Sequence, residues 1–471
     1  MASSQQEFFA SQRLHRFGVL ALVAAEIWLY FRTPLKDPWL VGGGLLIVFL
    51  SAWPALEWAR HHRQWFPAFE IFMLTLVNFY AMPLLAGNPP GFTFDDGVYW
   101  QAATAVLLFQ LAAIVGFNLP RWQPRLRPWV SESLLPESML RYTNLGLWLN
   151  TLYLYVANFT DLVPWELVGT IRAIFFGIGI MSVFIQSRLW GLGQLTLAEK
   201  VTVVVNLLMQ MVLLFSSLYL IQGLSLFVLA VIGYTTACRR IPVVLAAAVL
   251  VVVAVLHNGK GHMREIYWDE GMKAPTLSDL PSFYSQWVSM GLTASKQQEV
   301  KNRSLAENLF ERASLFQMLC LVVDRVPAYE PYLYGESYVD IPALLIPRPF
   351  WPEKPSTLLS NVRLALYFHL VDEDSALKVS IAFGPLAEAY ANFGLIGMAV
   401  LGLCIGLSAK VISLVSVGAP QLSTVGLFVI LLTAWAFQVE QVAATWITSL
   451  FQAAVVVVGV PLLYRFLFRR T

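Results

Sequence analysis

Apolar residues run almost unbroken over two stretches of this chain, 17–256 and 385–468. Between 257 and 384 they give way to a segment dense in Arg, Lys, Asp, Glu, Pro, Trp and Tyr. Within the apolar stretches, short polar or proline-bearing turns mark off segments near 17–31, 39–56, 65–85, 100–119, 142–159, 171–186, 201–218, 219–237, 242–256, 385–409, 422–437 and 442–463. Runs of this kind predict spanning helices, which need about 20 apolar residues to cross the hydrocarbon layer. The pattern predicts an all-α polytopic membrane protein of twelve transmembrane helices with one large extracytoplasmic loop. Residues 1–256 carry helices one to nine, 257–384 form the loop, and 385–471 carry helices ten to twelve.

Composition agrees with this class: 58% of the 471 residues are hydrophobic and 13% charged, too apolar a mixture for a soluble domain of this length. Arg13 and Arg16 precede the first apolar run in the manner of a signal sequence. Arg-Thr-Pro-Leu-Lys (32–36) follows it in place of a small-residue cleavage site, so the segment reads as a retained anchor. With both termini cytoplasmic, sixteen of the 31 Lys and Arg fall on cytoplasmic turns and three, Arg32, Lys36 and Arg172, on short outer segments. The other twelve lie in the large loop, which translocates regardless of charge. A net charge of +2 gives no reason to expect a nucleic-acid partner. Cys238, Cys320 and Cys404 are too scattered for a disulfide framework or a CxxC metal site.

The loop opens on His-Asn-Gly-Lys-Gly-His (257–262), where Gly259 and Gly261 are expected to break the preceding helix and leave Lys260 and Arg264 near the membrane surface. From 304 to 326, Leu305, Leu309, Leu315, Leu319 and Val322 fall at helical spacing. They predict an amphipathic helix along the interface, with Glu307, Glu311, Arg312 and Asp324 on its polar face. Pro342, Pro347, Pro349, Pro352 and Pro355 predict an extended, stiff stretch that fixes Arg348 and Lys354 in place. Re-entry occurs at Gly384-Pro385, a residue pair suited to a helix start, with Glu388 and Asn392 sharing one face.

Ile-Pro-Arg (346–348) running into Trp-Pro-Glu-Lys-Pro (351–355), and the helix start Glu-Ala-Tyr-Ala-Asn-Phe-Gly-Leu-Ile-Gly (388–397), sit in a multi-spanning chain with a large late loop. This combination resembles the Wzy-type oligosaccharide repeat-unit polymerases of bacterial O-antigen and exopolysaccharide pathways. The likeness covers 257–410 in detail and the remainder only as hydropathy. It implies a GT-C-like architecture in the bacterial inner membrane and an inverting, metal-independent glycosyl transfer that needs no cofactor. A growing glycan would pass from one undecaprenyl diphosphate to the next lipid-linked unit at the periplasmic face, with membrane lipid and a chain-length regulator as further partners.

Such chemistry needs cations for a diphosphate leaving group, and Arg offers a planar fork that matches phosphate oxygens. The candidates are Arg172, Lys260, Arg264, Arg312, Arg348 and Lys354, with Arg348 and Arg312 assigned to catalysis and the others to substrate binding. The plainer account of any one of them is a solvated face, a headgroup contact or, for Arg348, a tie to Glu353. An acceptor hydroxyl must lose a proton, which points to Glu388 as general base; an acid in a first helical turn also simply complements the helix dipole. His257, His262 and His369 are lesser options for the base. Asn392 is expected to position substrate, and Tyr334, Tyr338, Trp268 and Trp351 to stack on sugar rings, although aromatics at a membrane border more often anchor it. Glu26, Glu57 and Glu70 read as packing or interfacial residues, and the sequons at Asn158 and Asn302 as chance matches.

An O-antigen ligase would use the same arginines and base, and only the family resemblance separates it from a polymerase. A polysaccharide or lipid transporter is the rival from another class, expected to show repeated halves and broken helices. A non-catalytic scaffold is excluded by no residue.

Overall fold

The computed structural model describes residues 2–60, 67–87, 94–119, 139–160, 162, 168–218, 220–267, 275–300, 314–346, 350–351, 353–356, 359–373, 381–420, 423–459, 462–463 and 466. Among them there is no β-strand. The helices are α1 (Ala2–Arg32), α2 (Pro38–Arg60), α3 (Ala68–Leu85), α4 (Asp96–Asn118), α5 (Met139–Phe159), α6 (Val168–Gly191), α7 (Leu197–Phe215) and α8 (Leu220–Cys238). They continue with α9 (Val243–Tyr267), α10 (Leu280–Val300), α11 (Leu315–Arg325), α12 (Ile341–Leu345), α13 (Leu359–Tyr367), α14 (Gly384–Ser416), α15 (Thr424–Trp435) and α16 (Ala443–Ala454).

Eight described helices contain stretches long and apolar enough to cross a membrane: α1 (from Ser11), α2, α3, α4, α6 (from Ile174), α7, α9 and α14. This is the architecture of a polytopic membrane protein. The apolar run 201–237 is divided as expected, by a turn at Leu218 between α7 and α8. The expected segments 142–159, 219–237, 422–437 and 442–463 also contain helices, but those helices are not among the eight. Gln222–Cys238, Thr424–Trp435 and Ala443–Gly459 are apolar and shorter.

The chain divides into two compact units. Met1–Glu132, Ala313–Pro420 and Trp435–Val455 form the first; Ser133–Arg312, Gln421–Ala434 and Val456–Thr471 form the second. The first is centred on α4 against α14. Gly402 and Gly406 on α14 face α4 so closely that an added Cβ would lie 2.4 Å from the Phe109 carbonyl and 2.1 Å from that of Ala113; Gly116 on α4 returns the contact against Leu403 O at 2.7 Å. Small residues four apart allow this backbone-to-backbone packing, which lipid-exposed helices need because the hydrophobic effect does not drive them together.

In the second unit a hairpin of helices overturns one expectation. Gly259 and Gly261 do not end a helix: α9 continues through both to Tyr267. Glycine costs only about 1 kcal/mol inside a helix, and here Gly259 allows a close crossing. Its Cβ would lie 2.8 Å from Gly291 N and Trp287 O on α10, and a Cβ on Gly291 would lie 2.0 Å from Val255 O. Trp287 is wholly buried in the seam and donates from Nε1 to Leu256 O at 2.6 Å. Gly291→Ala must therefore push the two helices apart. Overpacking of this kind costs about 1–3 kcal/mol, and the expected result is a lower unfolding temperature in detergent; an unchanged one would show that the seam is looser than its geometry.

Two further expectations about the loop change. The helix over 304–326 appears as Leu315–Arg325, with Ser314 as N-cap accepting from Gln317 N at 3.0 Å. Leu315, Phe316, Leu319, Cys320, Leu321, Val322 and Val323 are buried, and the helix packs on α14 and α4 instead of lying along an interface. The expected Glu307, Glu311 and Arg312 lie outside the described residues. Pro342 does not forbid a helix either, because it occupies the first turn of α12, where its missing N–H costs nothing.

Candidate functional site

Helix α14 begins as the sequence suggests, with Pro385 in its first turn, but it is not one helix. Gly394, at φ +60° and ψ −143°, breaks it into 384–393 and 395–416. That backbone conformation is open essentially to glycine alone. A break inside an apolar helix leaves main-chain carbonyls without partners, which is costly away from water. The polar strap that follows α11 supplies them: Leu333 N–H donates to Ala391 O at 3.0 Å and Tyr334 N–H to Asn392 O at 3.2 Å.

Asn392 fastens the same junction through its side chain. Its Oδ1 accepts from Gly335 N at 2.8 Å, and its Nδ2 donates to Ser337 Oγ at 2.9 Å and to Glu388 O at 2.7 Å. Asn392 and Ser337 are both fully buried. The strap turns sharply here: Glu336 N–H closes on Leu333 O at 2.9 Å, with Tyr334 (φ +45°) and Gly335 (φ +97°) as its central residues. Two positive φ values make this a type I′ turn, whose first central position favours Asn, Asp or Gly. A tyrosine there carries strain of about 1–3 kcal/mol. Arg363 of α13 steadies the far end of the turn through Glu336 O at 2.9 Å and Asp340 at 3.2 Å.

Glu388 lies one turn before Asn392 and is also completely buried. One carboxylate oxygen, Oε2, accepts from Ala443 N at 2.7 Å, the first residue of α16. That position suits a negative group, since the first amides of a helix lack intrahelical partners and carry its positive dipole end. The other oxygen, Oε1, has no hydrogen-bond partner among the described residues, although a buried polar atom left this way costs about 1–3 kcal/mol. Beside it stands the Tyr338 hydroxyl, which burial, followed by the Glu388 charge, holds well above the usual phenol range, the Asn392 hydrogen bond acting in the opposite sense. Tyr338 therefore stays protonated at neutral pH. The Ser337 hydroxyl, which accepts from Asn392, also interacts with this carboxylate. The arrangement is a buried carboxylate near the start of an apolar helix, beneath a polar strap, with Oε1 outside any described hydrogen bond.

Of the residues singled out in the sequence, the structure brings together Glu388, Asn392, Tyr334 and Tyr338. Lys354 belongs to the same unit with its ammonium already committed: Nζ donates to Leu344 O at 2.8 Å and Ile346 O at 2.6 Å, satisfying carbonyls at the end of α12. Trp351 is exposed and makes no helix. Arg348, Arg312 and Trp268 lie outside the described residues. In the second unit, Arg172 falls within α6 with its side chain outside what is described, and Lys260 lies on α9. Arg264 on α9 donates to Leu218 O at 3.0 Å, closing the turn between α7 and α8.

The lesser bases are placed plainly: His257 and His262 are helical, and His369 sits exposed beside Glu330 at 3.5 Å. Glu57 pairs with Arg60 at 3.8 Å and Glu70 is buried.

Residues that sequence reasoning passed over include Ser337, Arg363 and Tyr80. Tyr80 is fully buried on a π-helical segment, Val77–Ala81, with its hydroxyl unpartnered among the described residues and 3.4 Å from where a Cβ on Gly384 would stand. Single π-turns in α-helices are frequent at functional sites, but no residue pattern in 77–81 announces one.

Residues 177–438 match the family described as Domain of unknown function (DUF8712), a segment that includes the strap and the Glu388 cluster. No curated protein and no solved structure matches the chain.

Proposed function

The chain belongs to the DUF8712 family, and from that starting point we propose a chemistry drawn from its own residues: it is a membrane glycosyltransferase that joins lipid-linked oligosaccharide repeat units into a polysaccharide. One observation carries this reading, the buried Glu388 with an unpartnered Oε1 at the break of an apolar helix. In a bilayer such an acid is expensive to maintain, and its default explanation is function.

In the proposed reaction the acceptor sugar hydroxyl gives its proton to Glu388 Oε1 as its oxygen bonds to the anomeric carbon of the donor glycan. The bond from that carbon to the donor's phosphate oxygen breaks on the opposite face, inverting the centre and releasing undecaprenyl diphosphate. Arg348 and Arg312 stabilise the departing diphosphate; Lys260, Arg264 and Arg172 remain the further cations of the proposal, and Tyr338, Trp351 and Asn392 bind or position substrate. Because Glu388 is completely buried, the acceptor reaches it only through a local opening of the kind that gates many enzymes. The architecture proposed with this is GT-C-like, with twelve spans in a bacterial inner membrane, both termini cytoplasmic, and a chain-length regulator as partner.

The break at Gly394 also favours a second reading, a transporter of lipid-linked saccharide, since discontinuous helices line many transport sites. One assay separates the two. Purified protein given only undecaprenyl-diphosphate-linked repeat units, with no ion gradient, lengthens them if it is a polymerase. Transfer of label across vesicles without lengthening identifies a transporter, and the absence of both overturns the proposal.

A further inference from the structure

Tyr334 occupies a backbone position that disfavours its own side chain, and its ring touches the fold only edge-on, at Tyr332. Its φ is +45°, yet its ring is 74% exposed. The chain's other described non-glycine residues with positive φ have local reasons: Leu218 is 1% exposed and packed in the second unit's core, and Arg239 and His369 lie just past helix ends, where such a conformation is usual. Tyr334 is instead the first central residue of a turn that Asn would suit better. The turn is also rigidly mounted, with Tyr334 N and Gly335 N both bonded to Asn392 and the Tyr332 ring set edge-on at 6.0 Å and 72°.

We propose that Tyr334 is a sugar-stacking residue whose outward ring takes the C–H face of a pyranose in the lipid-linked saccharide. This rests on the glycosyl-transfer reading and names the part of the substrate that the strap recognises. The electron-rich face of an aromatic ring attracts the weakly positive C–H groups on one side of a sugar. A ring held by a fixed turn loses little freedom on binding. Asn392 joins this turn to the helix that carries Glu388, so a sugar seated on Tyr334 is registered against the carboxylate.

The test uses Tyr334→Asn in the full-length protein, purified in lipid nanodiscs. Two probes are titrated: undecaprenyl diphosphate bearing the repeat unit isolated from the producing cells, and undecaprenyl diphosphate without sugar. The turn should be relieved, raising the unfolding temperature by about 1–3 °C, while affinity for the sugar-bearing lipid falls about five- to tenfold. Affinity for the bare lipid should stay the same. A Tyr334→Asn protein that still prefers the sugar-bearing lipid as strongly as wild type overturns the inference and leaves Tyr334 as an interfacial anchor. Equal weakening toward both lipids also overturns it, because the ring would then contact the carrier. A wild-type protein that does not distinguish the two lipids overturns the glycosyl-transfer reading itself, a separate failure visible before any substitution is made.

Discussion

Replacing Glu388 with glutamine is expected to leave the protein folded while lowering chain extension by about 100-fold or more, the range in which a positioned general base contributes. Glutamine keeps an oxygen to accept the Ala443 N–H that Oε2 now accepts at 2.7 Å, so the tie between α14 and the start of α16 survives. What disappears is an atom able to take a proton. Glu388→Ala makes the contrast, because it also strands the Ala443 amide in a buried place and should cost a further 1–3 kcal/mol, roughly the penalty for an unmade buried hydrogen bond. Thermal melts alongside the lengthening assay separate the two effects. Full extension by Glu388→Gln would reduce this carboxylate to a helix cap.

Gly394→Ala should destabilise the protein by straining the backbone of α14 at its break. At φ +60° and ψ −143° an L-residue is strained by about 1–3 kcal/mol. The new Cβ would also stand 2.7 Å from the Tyr332 hydroxyl, so that ring must swing away from Tyr334. With overpacking added, the total is about 2–4 kcal/mol. The strain is relieved most easily by restoring a continuous helix, which would withdraw Ala391 O and Asn392 O from the strap. Limited proteolysis should then cut within 326–346 faster than in wild type. Unchanged melting and cleavage would mean that the break tolerates a side chain and does not hold the strap.

Much of the helical plan is written in hydropathy, because a lipid-spanning segment has few other ways to satisfy its backbone. The turn at Leu218 and the start at Pro385 follow from that logic. Glycine misled the reading at 259 because its meaning depends on the partner: against Trp287 and Gly291 it permits a crossing, and only in isolation does it signal a stop. Gly394 shows the reverse, a glycine that does break a helix, in a stretch whose apolar pattern continues undisturbed on both sides.

The pairing of Glu388 with Asn392 was legible from four-residue spacing. Their partners were not: Ser337 and Ala443 are each 55 positions from the residue they bond, and no local pattern reports such a distance. Lys354 was misjudged as a phosphate ligand for a related reason. A lysine beside prolines reads as displayed, whereas the chain folds it back onto the carbonyls of α12.

The glycine contact between α4 and α14 bears on how the chain is made. Gly116 and Gly402 are 286 positions apart, and ribosomes extend chains at about 5–20 residues per second, so α4 waits roughly 15–60 s in the bilayer before its mate is synthesised. During that interval its small-residue face meets only acyl chains or other early helices. The native pairing must displace those interim neighbours late in biogenesis, and the first unit cannot be completed while translation is still in progress on α9 or α10.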